Sequence, residues 1–203
     1  MSNKIFDKLY KDIDGMEISW DSRNKLTEKE TKHLIYGEMS YDSLVDILRE
    51  KKVENYISNC SNFCDLGSGT GRIVVGASLI LDNLKTCTGI EILKELYDTS
   101  NEVTKKYLEI DKEKAENIYF INDNFFNIDL SKYDLIFMHY PMKAADDLYL
   151  QLEEKMKKEL KKDSVVISVI EWLKDEETFK QIAVKTVNCD YSETAVRYYV
   201  KCN

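Results

Sequence analysis

Residues 62–75 constrain this chain more than any other stretch. The run Asn62-Phe63-Cys64-Asp65-Leu66 meets three glycines at alternate positions, Gly67-Ser68-Gly69-Thr70-Gly71, and then continues as Arg72-Ile73-Val74-Val75. That order predicts a strand, a tight turn and a helix. Glycines accept positive φ and let a ligand approach main-chain N–H groups at a helix N-terminus. Arg72 stands where a dinucleotide fingerprint would want its third glycine, and no Gly-Lys-Ser/Thr follows as a phosphate loop requires. Asp65, just before the turn, repels phosphate and attracts a cation. A ligand with a sulfonium and an α-amino group fits that charge, which points to S-adenosylmethionine. The competing reading is a strand-to-helix turn whose glycines serve packing alone.

Further strands and helices follow the turn. A helix over 71–82 leads to a second strand, Thr86-Cys87-Thr88-Gly89-Ile90-Glu91, whose closing acid stands where a nucleotide-binding βαβ unit holds the ribose hydroxyls. Ile92, Leu93, Leu96, Tyr97, Val103 and Tyr107 mark the next helix, and Ile118 to Ile121 a third strand closed by Asp123-Asn124-Phe125-Phe126. The fourth strand runs from Leu135 to Tyr140 and stops at Pro141. A helix with Ala145, Leu148, Leu152, Met156 and Leu160 on one side precedes a fifth strand, Val165 to Ile170. Such alternation implies an α/β fold, a parallel sheet with helices on both faces and ligand at the carboxyl ends of the strands. Beyond Ile170 a helix around 174–181 is expected, then two strands, Ala183 to Cys189 and Thr194 to Cys202, joined around Asp190-Tyr191-Ser192. This C-terminal β-hairpin completes the seven-stranded, Rossmann-like sheet of a class I methyltransferase.

Upstream, Ile5, Phe6, Leu9, Tyr10 and Ile13 predict an amphipathic helix, residues 14–35 are polar and weakly periodic around Trp20, and Ser40 caps a helix carrying Asp42 in its first turn. Residues 1–35 are accordingly read as a helical extension and lid, with Trp20 a lid anchor or a core residue, and 36–203 as the methyltransferase domain. With 203 residues, 43% of them apolar, a sizeable core is available. The net charge of −8 disfavours sequence-independent attraction to nucleic acid or anionic lipid. Five scattered cysteines with no zinc spacing, no signal-peptide core and no membrane-length apolar run predict a cytoplasmic protein with reduced thiols and no metal.

Three elements in order, Tyr36-Gly37-Glu38-Met39-Ser40-Tyr41-Asp42, the glycine turn with Phe63 to Gly71, and Gly89-Ile90-Glu91, resemble the motifs of the disruptor-of-telomeric-silencing class. Those are lysine methyltransferases without a SET domain. The likeness runs from about residue 34 to the end. It implies that Tyr36 and Glu38 close over the methionine end of the cofactor, with Asp65, Gly67, Ser68, Gly69 and Arg72 at the turn beneath it. Glu91 would hold the ribose, Asp123 or Asn124 the adenine amine, and Phe125 the adenine ring. Tyr198, in the closing Ala195-Val196-Arg197-Tyr198-Tyr199-Val200, would line the acceptor channel with Tyr36.

The sequence departs from that class where an Asn-Asn-Phe would follow the fourth strand. Here His139-Tyr140-Pro141-Met142-Lys143 stands instead, and the extended lysine-rich region of the histone enzymes is missing. A nucleosomal substrate is therefore not expected. Methyl transfer requires an aligned, unprotonated lone pair, and His139 is the candidate to take a proton from the acceptor or hold it. Tyr191, Tyr199 and Glu171 are further candidates to line the channel. Three functions compete: methylation of a protein lysine, methylation of nitrogen or oxygen on a small molecule, and cofactor binding without activity.

Overall fold

Five apolar runs form the parallel part of the sheet: β1 (Asn62–Leu66), β2 (Thr86–Glu91), β3 (Ile118–Asn122), β4 (Leu135–His139) and β5 (Val165–Val169). The structure, a computed structural model, describes residues 2–27, 31, 34–139, 147–169, 173–189 and 192–203. Tyr140, Pro141, Met142, Lys143, Ala145, Glu171, Asp190 and Tyr191, to which the sequence assigns roles, lie outside the described residues. The hairpin of β6 (Phe179–Cys189) and β7 (Ser192–Lys201) completes seven strands in the order β3-β2-β1-β4-β5-β7-β6, with β7 antiparallel to both neighbours. Strand order reverses between β1 and β4, and the crevice at such a reversal takes ligand in open α/β sheets.

Alternation along the strands sorts their side chains into two buried layers. Phe63, Leu135, Phe137, Val165 and Ile167 enter one, with α1 (Ser2–Tyr10), α3 (Tyr41–Leu48) and α5 (Arg72–Ile80). Cys64, Ile136, Met138 and Val166 enter the other, beneath α8 (Asp147–Glu159). The remaining helices are α2 (Gly15–Arg23), α4 (Glu54–Ile57), α6 (Lys94–Leu108) and α7 (Lys112–Ala115). Because Phe6, Leu9 and Tyr10 share the core of α3 and α5, the N-terminal helix is built into the domain.

Two stretches differ from expectation. Residues 15–23 form α2, capped where Asp14 accepts the Glu17 N–H at 2.9 Å, and Trp20 is 62% exposed, so it is not a core residue. The helix expected around 174–181 is absent, and β6 begins at Phe179. Its register shifts between Gln181 and Ala183, a bulge that breaks the two-residue alternation and leaves Phe179, Ile182 and Ala183 at a spacing that imitates a helix. No helix among the described residues is long and apolar enough to cross a membrane, and none of their His, Cys, Asp and Glu groups could hold a metal ion. All five cysteines are free.

Candidate active site

The turn after β1 needs its glycines. Gly67, Gly69 and Gly71 have φ of +89°, +55° and +83°, values that side chains rarely adopt. The Gly67 and Ser68 N–H groups both donate to Ile90 O, at 2.9 and 3.0 Å. Glu91 completes the clamp between β1 and β2: Oε2 accepts the Gly69 N–H and Oε1 the Leu93 N–H, each at 2.8 Å. Burial raises the Glu91 pKa, and these N–H donors oppose the rise.

Tyr36 lies on the bare backbone of this turn, for a Cβ at Gly69 would stand 2.6 Å from its ring. The Tyr36 hydroxyl donates to Glu38 Oε1 at 2.7 Å and sits 3.1 Å from Thr70 Oγ1. Arg72 Nε lies 3.1 Å from Glu38 Oε2, with its guanidinium 4.6 Å above the Tyr10 ring. Tyr10 in turn donates to Thr70 O at 3.3 Å. Tyr36 and Glu38 thus cover the turn, and Arg72 fastens them to α1.

A cavity of about 230 Å³ opens at the carboxyl ends of β1, β2 and β4. Tyr36 and Glu38 form its lid side, Gly67, Ser68, Gly69 and Arg72 its floor, and Glu91 the wall beyond β2. Asp123, Asn124 and Phe125 border it after β3, and His139 at the end of β4. Asn124 Oδ1 accepts the Phe126 N–H at 3.0 Å, which fixes the short helical turn Phe125–Asn127. Burial holds the His139 imidazole neutral, with a pKa lowered to about 4.

Two expected contacts are corrected. Asp65 is fully buried beneath the turn and is not part of the cavity wall. Both of its carboxylate oxygens lack a hydrogen-bond partner among the described residues, and burial first, then Glu91, pushes its pKa well up. Tyr198 is fully buried in the layer beneath α3, where its hydroxyl donates to Ile47 O at 3.0 Å, and it does not border the cavity. Tyr199 turns to the opposite layer and accepts the Leu173 N–H at 3.2 Å.

Other residues of the wall escaped the sequence reading. Thr70 supports Tyr36, and Ser19, Leu34 and Ile35 arrive from the N-terminal segment. The Asp14-x-x-Glu17 capping pattern was the available signal for the helix that carries Ser19.

The residues suit S-adenosylmethionine. Its amino-acid end needs a close approach to backbone, which Gly67 permits because a Cβ there would meet nothing within 4 Å, and its positive charge suits the Glu91 carboxylate on the wall. The Ser68 hydroxyl, buried without a partner among the described residues, is a further polar group available there. Residues 65–173, just over half of the chain, match the model of the ANTKMT methyltransferase domain family. No curated protein matches the chain. Among solved structures it is similar to an RNA methyltransferase from Salinibacter ruber in complex with S-adenosyl-L-homocysteine, at 19% identity over 80% of this chain and 90% of that one, TM-score 0.51. A Pyrococcus horikoshii protein assigned as an RNA methyltransferase aligns over 93% of this chain and 98% of its own, at 16% identity and TM-score 0.63. The mitomycin 7-O-methyltransferase aligns over 80% of this chain and 54% of its own, at 10% identity and TM-score 0.60. At such identities the likeness is one of fold.

Proposed function

The chain belongs to the ANTKMT methyltransferase domain family and is an S-adenosylmethionine-dependent methyltransferase, and from that premise we propose that it methylates the side-chain nitrogen of a lysine in a protein other than a nucleosome. The observation that carries the proposal is His139, a neutral imidazole on the cavity wall at the end of β4. When bound, S-adenosylmethionine supplies a methyl carbon on positive sulfur, from which the acceptor's lone pair displaces S-adenosylhomocysteine.

A lysine must arrive there as a free amine. Desolvation favours loss of its proton, because burial disfavours the ammonium form. With its pKa near 4, His139 is too weak a base to keep that proton, so the proton leaves to solvent as the amine is seated. The imidazole lone pair then accepts one amine N–H and turns the nitrogen lone pair toward the methyl group. Tyr36 closes the lid side, where its ring excludes water from the turn. The resemblance of Tyr36-Gly37-Glu38 to the non-SET lysine enzymes and the family match both support lysine as the acceptor class. The net charge of −8 speaks against nucleic acid as the partner.

Incubating the protein with labelled S-adenosylmethionine and, separately, whole-cell protein and a metabolite extract tests the reading. Methyllysine in the protein fraction, seen by mass spectrometry, is the expected result. Methyl groups only on a small metabolite, or on oxygen, would refute it. His139→Ala should lower kcat by about tenfold, the size of one lost hydrogen bond to the amine, with little change in S-adenosylhomocysteine affinity.

A further inference from the structure

One side chain of α2 is not explained by folding. Ser19 is fully buried, its hydroxyl has no hydrogen-bond partner among the described residues, and it borders the cofactor cavity. The neighbouring serine of the same helix behaves differently: Ser22 donates to Ile18 O at 2.8 Å, the usual way a helical serine satisfies itself. A buried hydroxyl left unpaired destabilises the fold unless something else pairs with it.

The position of α2 says what that partner is. One turn before Ser19, on the same face, a Cβ at Gly15 would stand 2.1 Å from the Tyr36 hydroxyl and 2.2 Å from Glu38 Oε1. That face of the helix therefore presses on the two lid residues. At its other end, Arg23 Nη1 donates to Leu34 O at 3.0 Å, and Lys25 pairs with Glu95 at 2.5 Å. Fastened at both ends, α2 holds Ser19 over the cavity between the lid and α6.

We infer that Ser19 is a cofactor-binding residue whose hydroxyl donates to the α-carboxylate of the methionine moiety. Elimination among the polar groups of the ligand leads there. The sequence resemblance assigns Glu91 to the ribose hydroxyls and Asp123 or Asn124 to the adenine amine, and all three border the cavity. The ammonium group and the sulfonium need no donor. The carboxylate needs donors, and with Arg72 paired to Glu38 the hydroxyls on the wall without a partner among the described residues are those of Ser68 on the floor and Ser19 on the lid side. A hydroxyl on the lid side supplies one. The N-terminal helix pair is then part of the cofactor site, and α2 selects for a ligand that carries an amino-acid tail.

Two ligands separate this contact from a packing role. S-adenosylhomocysteine has the carboxylate, whereas 5′-methylthioadenosine keeps the adenosine and the sulfur without it. Calorimetric titration of both into the wild type and Ser19→Ala should show S-adenosylhomocysteine weakened about tenfold, as for a lost hydrogen bond to a charged group, and 5′-methylthioadenosine unchanged. The ligand-free melting temperature of Ser19→Ala should stay level or rise, because an unpaired buried hydroxyl has been removed. Equal weakening of both ligands, unchanged binding of S-adenosylhomocysteine, or a lower ligand-free melting temperature would each overturn the assignment. None of these readings depends on which acceptor is methylated.

Discussion

Burial of His139 makes the stability of this protein depend on pH in a stated direction. Its pKa falls from about 6.5 in the unfolded chain to about 4 in the fold. Between those values the unfolded chain binds a proton there that the fold does not, so stability rises with pH and is lost as pH falls from about 6.5 to 4. His139→Gln should flatten that window, as measured by urea midpoints at pH 4.5 and 7; an unchanged slope would place the pH dependence elsewhere. Two further residues carry sharp expectations. Gly69→Val sets a Cβ 2.6 Å from the Tyr36 ring at a φ of +55°, so calorimetry should find no cofactor binding while circular dichroism still reports the fold. Glu91 both clamps the turn and borders the cavity, where it is the group proposed to hold the ribose, and each of its oxygens keeps a second lone pair for a hydroxyl. Glu91→Ala should therefore weaken S-adenosylhomocysteine by about 1.5–3 kcal/mol and also lower the ligand-free melting temperature; unchanged affinity would move the ribose contact elsewhere.

Among the elements, the C-terminal hairpin is a scaffold for the sheet edge and α3. Tyr198 illustrates it: the ring fills the layer under α3, and burial raises its pKa above the usual phenol range. Tyr198→Phe removes one hydrogen bond to Ile47 O and should cost about 1 kcal/mol of stability with unchanged kcat. A fall in kcat without a loss of stability would restore Tyr198 to the acceptor channel. In the same layer α1 packs beside α3, and with α2 it carries groups that hold the lid, through Arg72 over the Tyr10 ring and Gly15 against Tyr36 and Glu38.

For the molecule as a whole, cofactor binding and folding are linked. A ligand present at 100 times its Kd stabilises the native state by about 2.7 kcal/mol. For a chain of this size that should raise the melting temperature by about 5–10 °C, provided that the ligand has no affinity for the unfolded chain. Differential scanning fluorimetry with S-adenosylhomocysteine measures it, and no shift at saturating ligand would contradict the cofactor assignment. The two core layers on either side of one sheet make that link possible, because the cavity floor is also the junction of β1, β2 and β4.

Local chemistry determined most of what could be read in advance. Strand and helix periods, the alternate glycines from Gly67 to Gly71 and the acid closing β2 are properties of neighbouring residues, and the parallel sheet and the cofactor's floor follow from them. The bulge near Ile182 and the capped but weakly amphipathic α2 escaped because each disturbs the simple period on which such reading rests. Only the tertiary structure decided which distant groups meet. A tyrosine at position 198 suits a ligand channel or a core equally well, and the register of β7 against β5 sends it to the core. Likewise Ser19 and Gly69 are 50 residues apart in the chain, and they border one cavity because α2 is fastened across the carboxyl edge of the sheet, which no local pattern encodes.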